Sequence, residues 1–153
     1  MAAKPTLSIA ANGAGRLLLG GAFAWAAAAK IHDPATFASD ITHYRLLPHV
    51  ATLALSLYLP WLELLCAAAV LTRRCERGAL AILLVLCVIF SAALTSAWLR
   101  GLDISCGCFG GGGASTPLVI SLLRSLGLGV IALLLLRSAS IQSTSDLEDV
   151  LPK

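Results

Sequence analysis

Charged residues are scarce in this chain of 153 residues, and their scarcity narrows its class at once. Asp, Glu, Lys and Arg make up 12% of the sequence, roughly half of the ~25% found in an ordinary soluble domain. Aromatic residues reach only 6%, and the formal net charge is +3. So weak and scattered a positive charge lacks the basic footprint of a nucleic-acid-binding protein. Water-soluble enzymes, nucleic-acid binders and disordered proteins are therefore poor candidates.

Apolar residues are abundant instead, at 58% of the chain with a mean hydropathy of +0.89. A helix of about 20 apolar residues crosses a bilayer, and three runs have this length: residues 49–72, 79–99 and 117–136. A weaker run, residues 17–29, reaches that length if it extends back through residue 13. The sequence predicts an all-α polytopic membrane protein, with residues 1–137 forming a bundle of four transmembrane helices.

Two further features concern the ends of the chain. The weak first run also admits the interpretation of a cleaved signal peptide, since Lys4 and Arg16 resemble a basic leader. The turn-like residues 30–34 directly after the run favour a span. Residues 138–153 are rich in Ser and Thr and then acidic, which predicts a flexible cytoplasmic tail.

Basic residues predict the orientation of the spans. Cytoplasmic loops are enriched in Lys and Arg, and the densest basic cluster is Arg-Arg-Cys-Glu-Arg at residues 73–77. We therefore expect a bacterial inner-membrane protein with both termini in the cytoplasm.

The first outer loop, residues 31–48, contains the signature of a short helix. Asp33 followed by Pro34 is typical of an N-cap and the first helical position. Phe37, Ile41 and Tyr44 follow at the spacing of one apolar helical face. This pattern predicts a short helix that lies flat at the membrane interface.

The other outer loop contains Cys106 and Cys108, separated by one glycine and followed by a glycine run. Outside the bacterial inner membrane, exposed thiols tend to be paired or redox-active. A disulfide between residues this close should be strained and easily reduced, as labile or catalytic disulfides are. The motif favours a redox-active pair over an incidental pair of thiols or a metal site. A metal would need further ligands, and the nearby histidines lack ligand spacing: His32, His43 and His49.

Two of the predicted spans each contain one charged residue, Glu63 in the run 49–72 and Arg124 in the run 117–136. A charged side chain within a membrane is tolerated only if it faces a protein interior or reaches the membrane surface. We expect Glu63 to form a structural ion pair with Arg16 or Arg124. The alternative is a proton relay or an acid beside a quinone, which makes a quinone a conceivable cofactor.

The remaining cysteines allow a second interpretation as well. Cys66 and Cys87 lie at similar predicted depths in neighbouring spans, so they are candidates for a second thiol pair that passes electrons across the membrane. The stronger expectation is that they are small apolar fillers. Cys75 is expected to be an ordinary reduced thiol.

Several segments of the chain resemble the MauE family of methylamine utilisation proteins, relatives of the DoxX-like membrane proteins. The resemblance covers roughly residues 16–136 and rests on these sequences: Lys-Ile-His-Asp-Pro at 30–34 with Phe37, Tyr-Arg-Leu-Leu-Pro at 44–48, Leu-Pro-Trp-Leu-Glu at 59–63, Arg-Gly-Leu at 100–102 and Cys-Gly-Cys-Phe-Gly at 106–110. It implies a four-helix membrane bundle that supports maturation of the disulfide-rich small subunit of methylamine dehydrogenase. It also implies a thioredoxin-like periplasmic partner.

Together these features predict a thiol–disulfide redox component that acts through Cys106 and Cys108 on a secreted client. The alternative is a membrane scaffold that holds the client while other proteins oxidise it. A small-molecule transporter using Glu63 is disfavoured, because the chain lacks an evident inverted repeat.

Overall fold

The computed structural model describes residues 4–44, 48–101 and 118–150, with side chains for residues 12–44, 48–101 and 118–140. Every regular element within these ranges is an α-helix. In chain order they are α1 (Lys4–His32), α2 (Pro34–His43), α3 (His49–Thr72), α4 (Glu76–Leu99) and α5 (Leu118–Val150). The all-α prediction is therefore confirmed for the described residues.

The four long helices pack in a closed ring, in which α1 contacts α3, α3 contacts α4, α4 contacts α5 and α5 contacts α1. Buried residues from all four helices form one hydrophobic core, which includes Leu19, Val70, Leu83 and Ala132. Neighbours in the ring run antiparallel, so the bundle has two ends. We call the end where α4 begins the Glu76 end, and the end where α4 stops the Arg100 end.

Three helices are long and apolar enough to cross a membrane: His49–Thr72, Glu76–Leu99 and Leu118–Ser140. Large apolar side chains on their outer surfaces are exposed, among them Val50, Tyr58, Val88 and Leu123. Such a surface suits contact with lipid. Helix α1 is not among these candidate spans in the described chain. It is rich in Ala and Gly and includes both Arg16 and Lys30.

Helix α1 stops halfway along α3. The Lys30 ammonium, in the last turn of α1, contacts Glu63, which lies 14 residues after the start of α3, a distance of about 20 Å along the helix. Asp33 and Pro34 then interrupt the helix. Asp33 is the N-cap of α2 and accepts a bond of 3.1 Å from the backbone N–H of Thr36.

Helix α2 continues from this break towards the Arg100 end. Its first turn places Phe37 beside the Lys30 ammonium, and the carbonyl that follows it, on Tyr44, accepts a bond of 3.2 Å from Arg100. Between these points α2 packs against α3. The predicted short helix thus exists, but it fills the half of the bundle that α1 leaves vacant and does not lie flat across the bundle end. The physical reason is that Phe37 gains a buried contact at the ion pair.

The predicted tail begins as regular helix. Helix α5 extends to Val150, so most of the segment 138–153 continues the last helix beyond the candidate span, which ends at Ser140. No Gly or Pro interrupts residues 130–151, and without such breakers a helix that tertiary packing has already nucleated propagates readily. Arg77 secures its beginning by donating a bond of 2.6 Å to the carbonyl of Ala139.

Glycine permits one close approach in the bundle, between α1 and α3. A Cβ added at Gly20 would lie 2.7 Å from Cγ of Leu71, whereas a Cβ at the neighbouring Gly21 would meet nothing within 4 Å. The absence of a side chain at Gly20 therefore sets how closely the two helices pack.

We expect Gly20→Val to destabilise the protein by about 1–3 kcal/mol through overpacking. Gly21→Val is the matched control, because it makes the same change in helix propensity without the clash. Thermal unfolding in detergent should show a lower midpoint for the first variant than for the second, and Leu71→Ala should restore part of the loss. Equal midpoints for the two valine variants would contradict the close approach.

Candidate functional site

The centre of the bundle contains a buried ion pair. The Nζ atom of Lys30 donates to both carboxylate oxygens of Glu63, each at 2.7 Å. The side chains of Lys30 and Glu63 are only 2% and 1% exposed. Charges this deeply buried are tolerated only when paired, because each ion loses its hydration. The contact therefore fixes α1 against α3 at the level where α1 ends.

Two aromatic rings surround the same ammonium group. The ring centroids of Phe37 and Phe90 lie 5.0 and 5.1 Å from Nζ of Lys30. A ring face attracts a cation at this distance, more strongly where water is excluded. Lys30 thus contacts α2, α3 and α4 through one side chain.

A cavity of about 40 Å³ lies beside the ion pair. It has room for about three water molecules. The surface that faces the cavity is almost entirely apolar, although four polar residues belong to its border: Lys30, Glu63, Ser121 and Ser125. The other residues of the border are Phe23, Ala26, Cys87, Phe90, Leu94 and Leu128. Four helices contribute to this border, so the cavity is at the centre of the ring.

Hydroxyl groups of α4 and α5 adjoin this cavity. The hydroxyls of Ser91 and Ser125 lie 3.0 Å apart, and Ser125 also lies 3.2 Å from the carbonyl oxygen of Cys87, to which it donates. A Cβ added at Gly129 would lie 3.4 Å from Cβ of Cys87. The two serine hydrogen bonds hold α4 and α5 together next to the ion pair, and Gly129 leaves room for the two helices to lie close.

Residues 7–138 of the chain match the family described as methylamine utilisation protein MauE. The chain belongs to the MauE family. The match covers most of the sequence, and it confirms the family that the motifs predicted. No curated protein and no solved structure gives a match. With its long apolar helices, this member of the MauE family is a membrane protein of the methylamine utilisation type.

The prediction for the partner of Glu63 was wrong: the partner is Lys30. Arg16 lies 14 residues before Lys30, about 20 Å away along α1, and pairs instead with Glu76 at 2.6 Å. Arg124 has an exposed side chain and does not border the cavity. The prediction of a buried structural ion pair at Glu63 stands, with another cation.

The sequence reasoning missed Lys30 because it placed this residue in an outer loop. The signal that identifies it is the Asp33-Pro34 break. A helix that stops there, and a second helix that continues to the Arg100 end of the bundle, put Lys30 inside the bundle.

The cysteines fall into three groups. Cys66 and Cys87 are buried free thiols in the hydrophobic core, and Cys75 is an exposed free thiol in the turn between α3 and α4. The hypothesis that Cys66 and Cys87 act as a second thiol pair stays a prediction. Cys106 and Cys108 lie outside the described residues, in the segment that joins α4 to α5.

The three histidines are distributed over three helices: His32 ends α1, His43 ends α2 and His49 begins α3. Within the described ranges, no three side chains of His, Cys, Asp or Glu form a group that could hold a metal ion. The chemistry of the described site is therefore that of a buried ion pair beside a small, almost entirely apolar cavity.

We expect Glu63→Gln to cost about 3–5 kcal/mol, because it leaves the Lys30 ammonium buried without its counter-ion. The double variant Lys30→Met with Glu63→Gln should recover most of that loss. Glu76→Gln is the matched control, since its partner Arg16 is less buried and can be rehydrated. The stability of these three variants is measured by their yield in the membrane and by thermal unfolding in detergent. Recovery upon neutralising Arg16 or Arg124, but not Lys30, would contradict this assignment.

Proposed function

We propose that this member of the MauE family is an inner-membrane thiol–disulfide exchange component, with Cys106 and Cys108 as its reacting pair. The observation that carries the proposal is the Cys-Gly-Cys sequence itself, in the segment that joins α4 to α5. That segment leaves the bundle at Arg100 and returns to it at Leu118. It therefore starts and ends at the bundle end opposite the basic turn at residues 73–77.

The proposed topology has four spans. Helices α3, α4 and α5 are three of them, and α1 followed by α2 is the fourth, broken at Asp33 and Pro34. The closed ring of packing contacts supports this count. Arg73, Arg74 and Arg77 all lie at the Glu76 end, which favours a cytoplasmic location for that end and for both termini. The Cys106–Cys108 segment then faces the periplasm.

The proposed reaction is an exchange with a thioredoxin-like periplasmic protein. A thiolate of the partner attacks one sulfur of the Cys106–Cys108 disulfide, which forms a mixed disulfide and releases the other sulfur as a thiolate. The partner's second thiolate then resolves the mixed disulfide. The partner leaves oxidised, and Cys106 and Cys108 are left reduced, with two electrons transferred in total.

The partner passes its disulfide to a secreted client, for which we propose the small subunit of methylamine dehydrogenase. Reoxidation of Cys106 and Cys108 requires a two-electron acceptor, and a membrane quinone is of the appropriate chemical class. Reduction of the quinone to a hydroquinone takes up the two electrons and two protons that disulfide formation releases.

The topology predicts how the thiols react with a membrane-impermeant maleimide. In a Cys106→Ser, Cys108→Ser background, the exposed Cys75 should be labelled only after the inner membrane is permeabilised. A cysteine introduced at the exposed His49, at the opposite end of the bundle, should be labelled in intact spheroplasts. The reverse pattern would invert the proposed orientation, and Cys75→Ser controls for background labelling.

The exchange reaction predicts a trapped intermediate. Cys106→Ser or Cys108→Ser alone leaves one thiol, which attacks the disulfide of the oxidised thioredoxin-like partner, forms a mixed disulfide and releases the partner's second cysteine as a thiolate. The adduct should accumulate when that second cysteine of the partner is also replaced by serine, because no thiolate is then left to displace it. We expect Cys108 to be the sulfur that retains the partner, since it is the cysteine nearer in sequence to the glycine run at residues 110–113. Non-reducing gels followed by mass spectrometry detect the adduct.

Cys75→Ser is the control for that experiment and should trap nothing. If neither single variant gives an adduct and the client matures normally in the double variant, the exchange mechanism is wrong. A scaffold that holds the client without redox chemistry would then replace it.

A further inference from the structure

The apolar cavity beside the ion pair has no role in the thiol exchange proposed above. We propose that it is the inner part of a phospholipid-binding site, which takes one acyl chain from the leaflet at the Arg100 end while Arg124 binds the anionic headgroup. The site lies between α5 and the two consecutive helices α1 and α2. It does not rest on the chemistry of Cys106 and Cys108.

The first argument is an opening in the ring of helices. Helix α1 lies against α5 at Gly15, where an added Cβ would be 3.4 Å from Cδ2 of Leu135. Further along, both helices contribute to the border of the cavity, which is partly open. Among the described residues, α2 contacts α1 and α3 but not α5. The contact that would close the cavity between α2 and α5 is therefore lacking in this part of the chain.

The second argument is the apolar surface of the cavity. Its polar neighbours are already bonded to one another, since Lys30 donates to both oxygens of Glu63. The hydroxyl of Ser125 is likewise bonded to Ser91 and to the carbonyl of Cys87. An apolar cavity of this kind stays dry and takes up apolar guests. The volume of about 40 Å³ suits a short length of hydrocarbon chain.

The third argument is depth in the membrane. On α5, the border of the cavity runs from Ser121 to Leu128, about 5–15 Å along the helix from its first residue, Leu118. The hydrocarbon core of a bilayer is about 30 Å thick, so this depth lies within one leaflet. The cavity is therefore at the level of the acyl chains of lipids whose headgroups lie at the Arg100 end.

The fourth argument is a positive charge beside the opening. The exposed Arg124 follows Ser121 by three residues and precedes Leu128 by four, so it adjoins the border of the cavity on the helix surface. Side chains of an α-helix point back towards its N-terminus, which for α5 is the Arg100 end. The guanidinium of Arg124 is thus directed towards the headgroups, and a guanidinium binds phosphate through two parallel hydrogen bonds.

Arg124 also lies on the side of α5 that faces the opening. Ile131 and Leu135 follow it by seven and eleven residues, which places all three on one face of the helix. These two residues are the ones that lie opposite Gly15 of α1. Gly129 lies instead against Cys87 of α4. A phospholipid whose phosphate binds Arg124 therefore has its acyl chains beside the cavity.

Native mass spectrometry of the full-length protein in detergent tests the headgroup contact. The probes are phosphatidylglycerol and phosphatidylethanolamine with identical acyl chains. The wild type should bind one phosphatidylglycerol more tightly than phosphatidylethanolamine. Arg124→Gln should weaken the binding of phosphatidylglycerol about tenfold, because a charge-assisted contact is lost. Arg137→Gln, which changes another exposed arginine of α5, is the matched control and should leave both affinities unchanged.

Photolabelling in nanodiscs tests the acyl chain, with a phosphatidylglycerol that carries a diazirine in that chain. The probe should label Leu94, which borders the cavity and is only 2% exposed, as well as Leu123, which is 63% exposed. Ser121→Leu fills the cavity and should abolish the labelling of Leu94 while that of Leu123 remains. Ser140→Leu, at the other end of the candidate span, is the matched control and should leave both unchanged.

Three results would overturn the proposal. Labelling of Leu123 without Leu94 in the wild type would mean that lipid only surrounds the bundle. Equal affinities for phosphatidylglycerol in Arg124→Gln and Arg137→Gln would reject the headgroup contact. Stronger protection of Leu94 by a long-chain quinone than by unlabelled phosphatidylglycerol would assign the cavity to a different amphiphile. Circular dichroism shows whether each variant retains its helices, and Ser121→Val is the smaller replacement if Ser121→Leu fails to fold.

Discussion

Burying a lysine and a glutamate in the middle of an apolar bundle costs several kcal/mol per ion before any contact is counted. Each side chain must therefore find its partner at short range, and the geometry of the bundle reflects this requirement. Nζ of Lys30 lies 2.7 Å from both carboxylate oxygens of Glu63, which fixes the relative depth of α1 and α3. With that depth fixed, α1 ends at mid-bundle, and α2 occupies the remaining length beside α3.

The charged side chains at the two ends of the bundle also have partners at short range, but they are less buried, so losing a partner costs less free energy. At the Glu76 end, Arg16 pairs with Glu76, and Arg77 donates to the carbonyl of Ala139. At the Arg100 end, Arg100 donates to the carbonyl of Tyr44. The side chains of Arg16 and Glu76 are 12% and 14% exposed, and Arg77 and Arg100 are exposed residues, so these groups can be rehydrated if the contact breaks. Of the two ion pairs among the described residues, the central one has no access to bulk water as an alternative partner.

Much of this fold follows from hydropathy and from local sequence signals. The three apolar runs, the N-cap at Asp33 and the apolar face that begins at Phe37 are local signals, and the structure has a helix at each. The partner of Glu63 is different in kind, because it depends on where α1 stops relative to α3. Hydropathy assigns Lys30 to a loop, since a lysine ends an apolar run. Only the packing of Phe37 and Phe90 around its ammonium shows that this residue belongs to the core.

The short helix α2 relates the ion pair to the segment that contains Cys106 and Cys108. Phe37, in its first turn, contacts the Lys30 ammonium, and Tyr44, just after its last turn, accepts a bond from Arg100. Arg100 stands six residues before Cys106 in the chain. A helix held at both ends in this way relates the position of Arg100 to that of the buried charges. The break at Asp33 and Pro34 therefore has two consequences: it leaves Lys30 at the centre of the bundle, and it begins the helix whose following residue, Tyr44, accepts the bond from Arg100 at the end of α4.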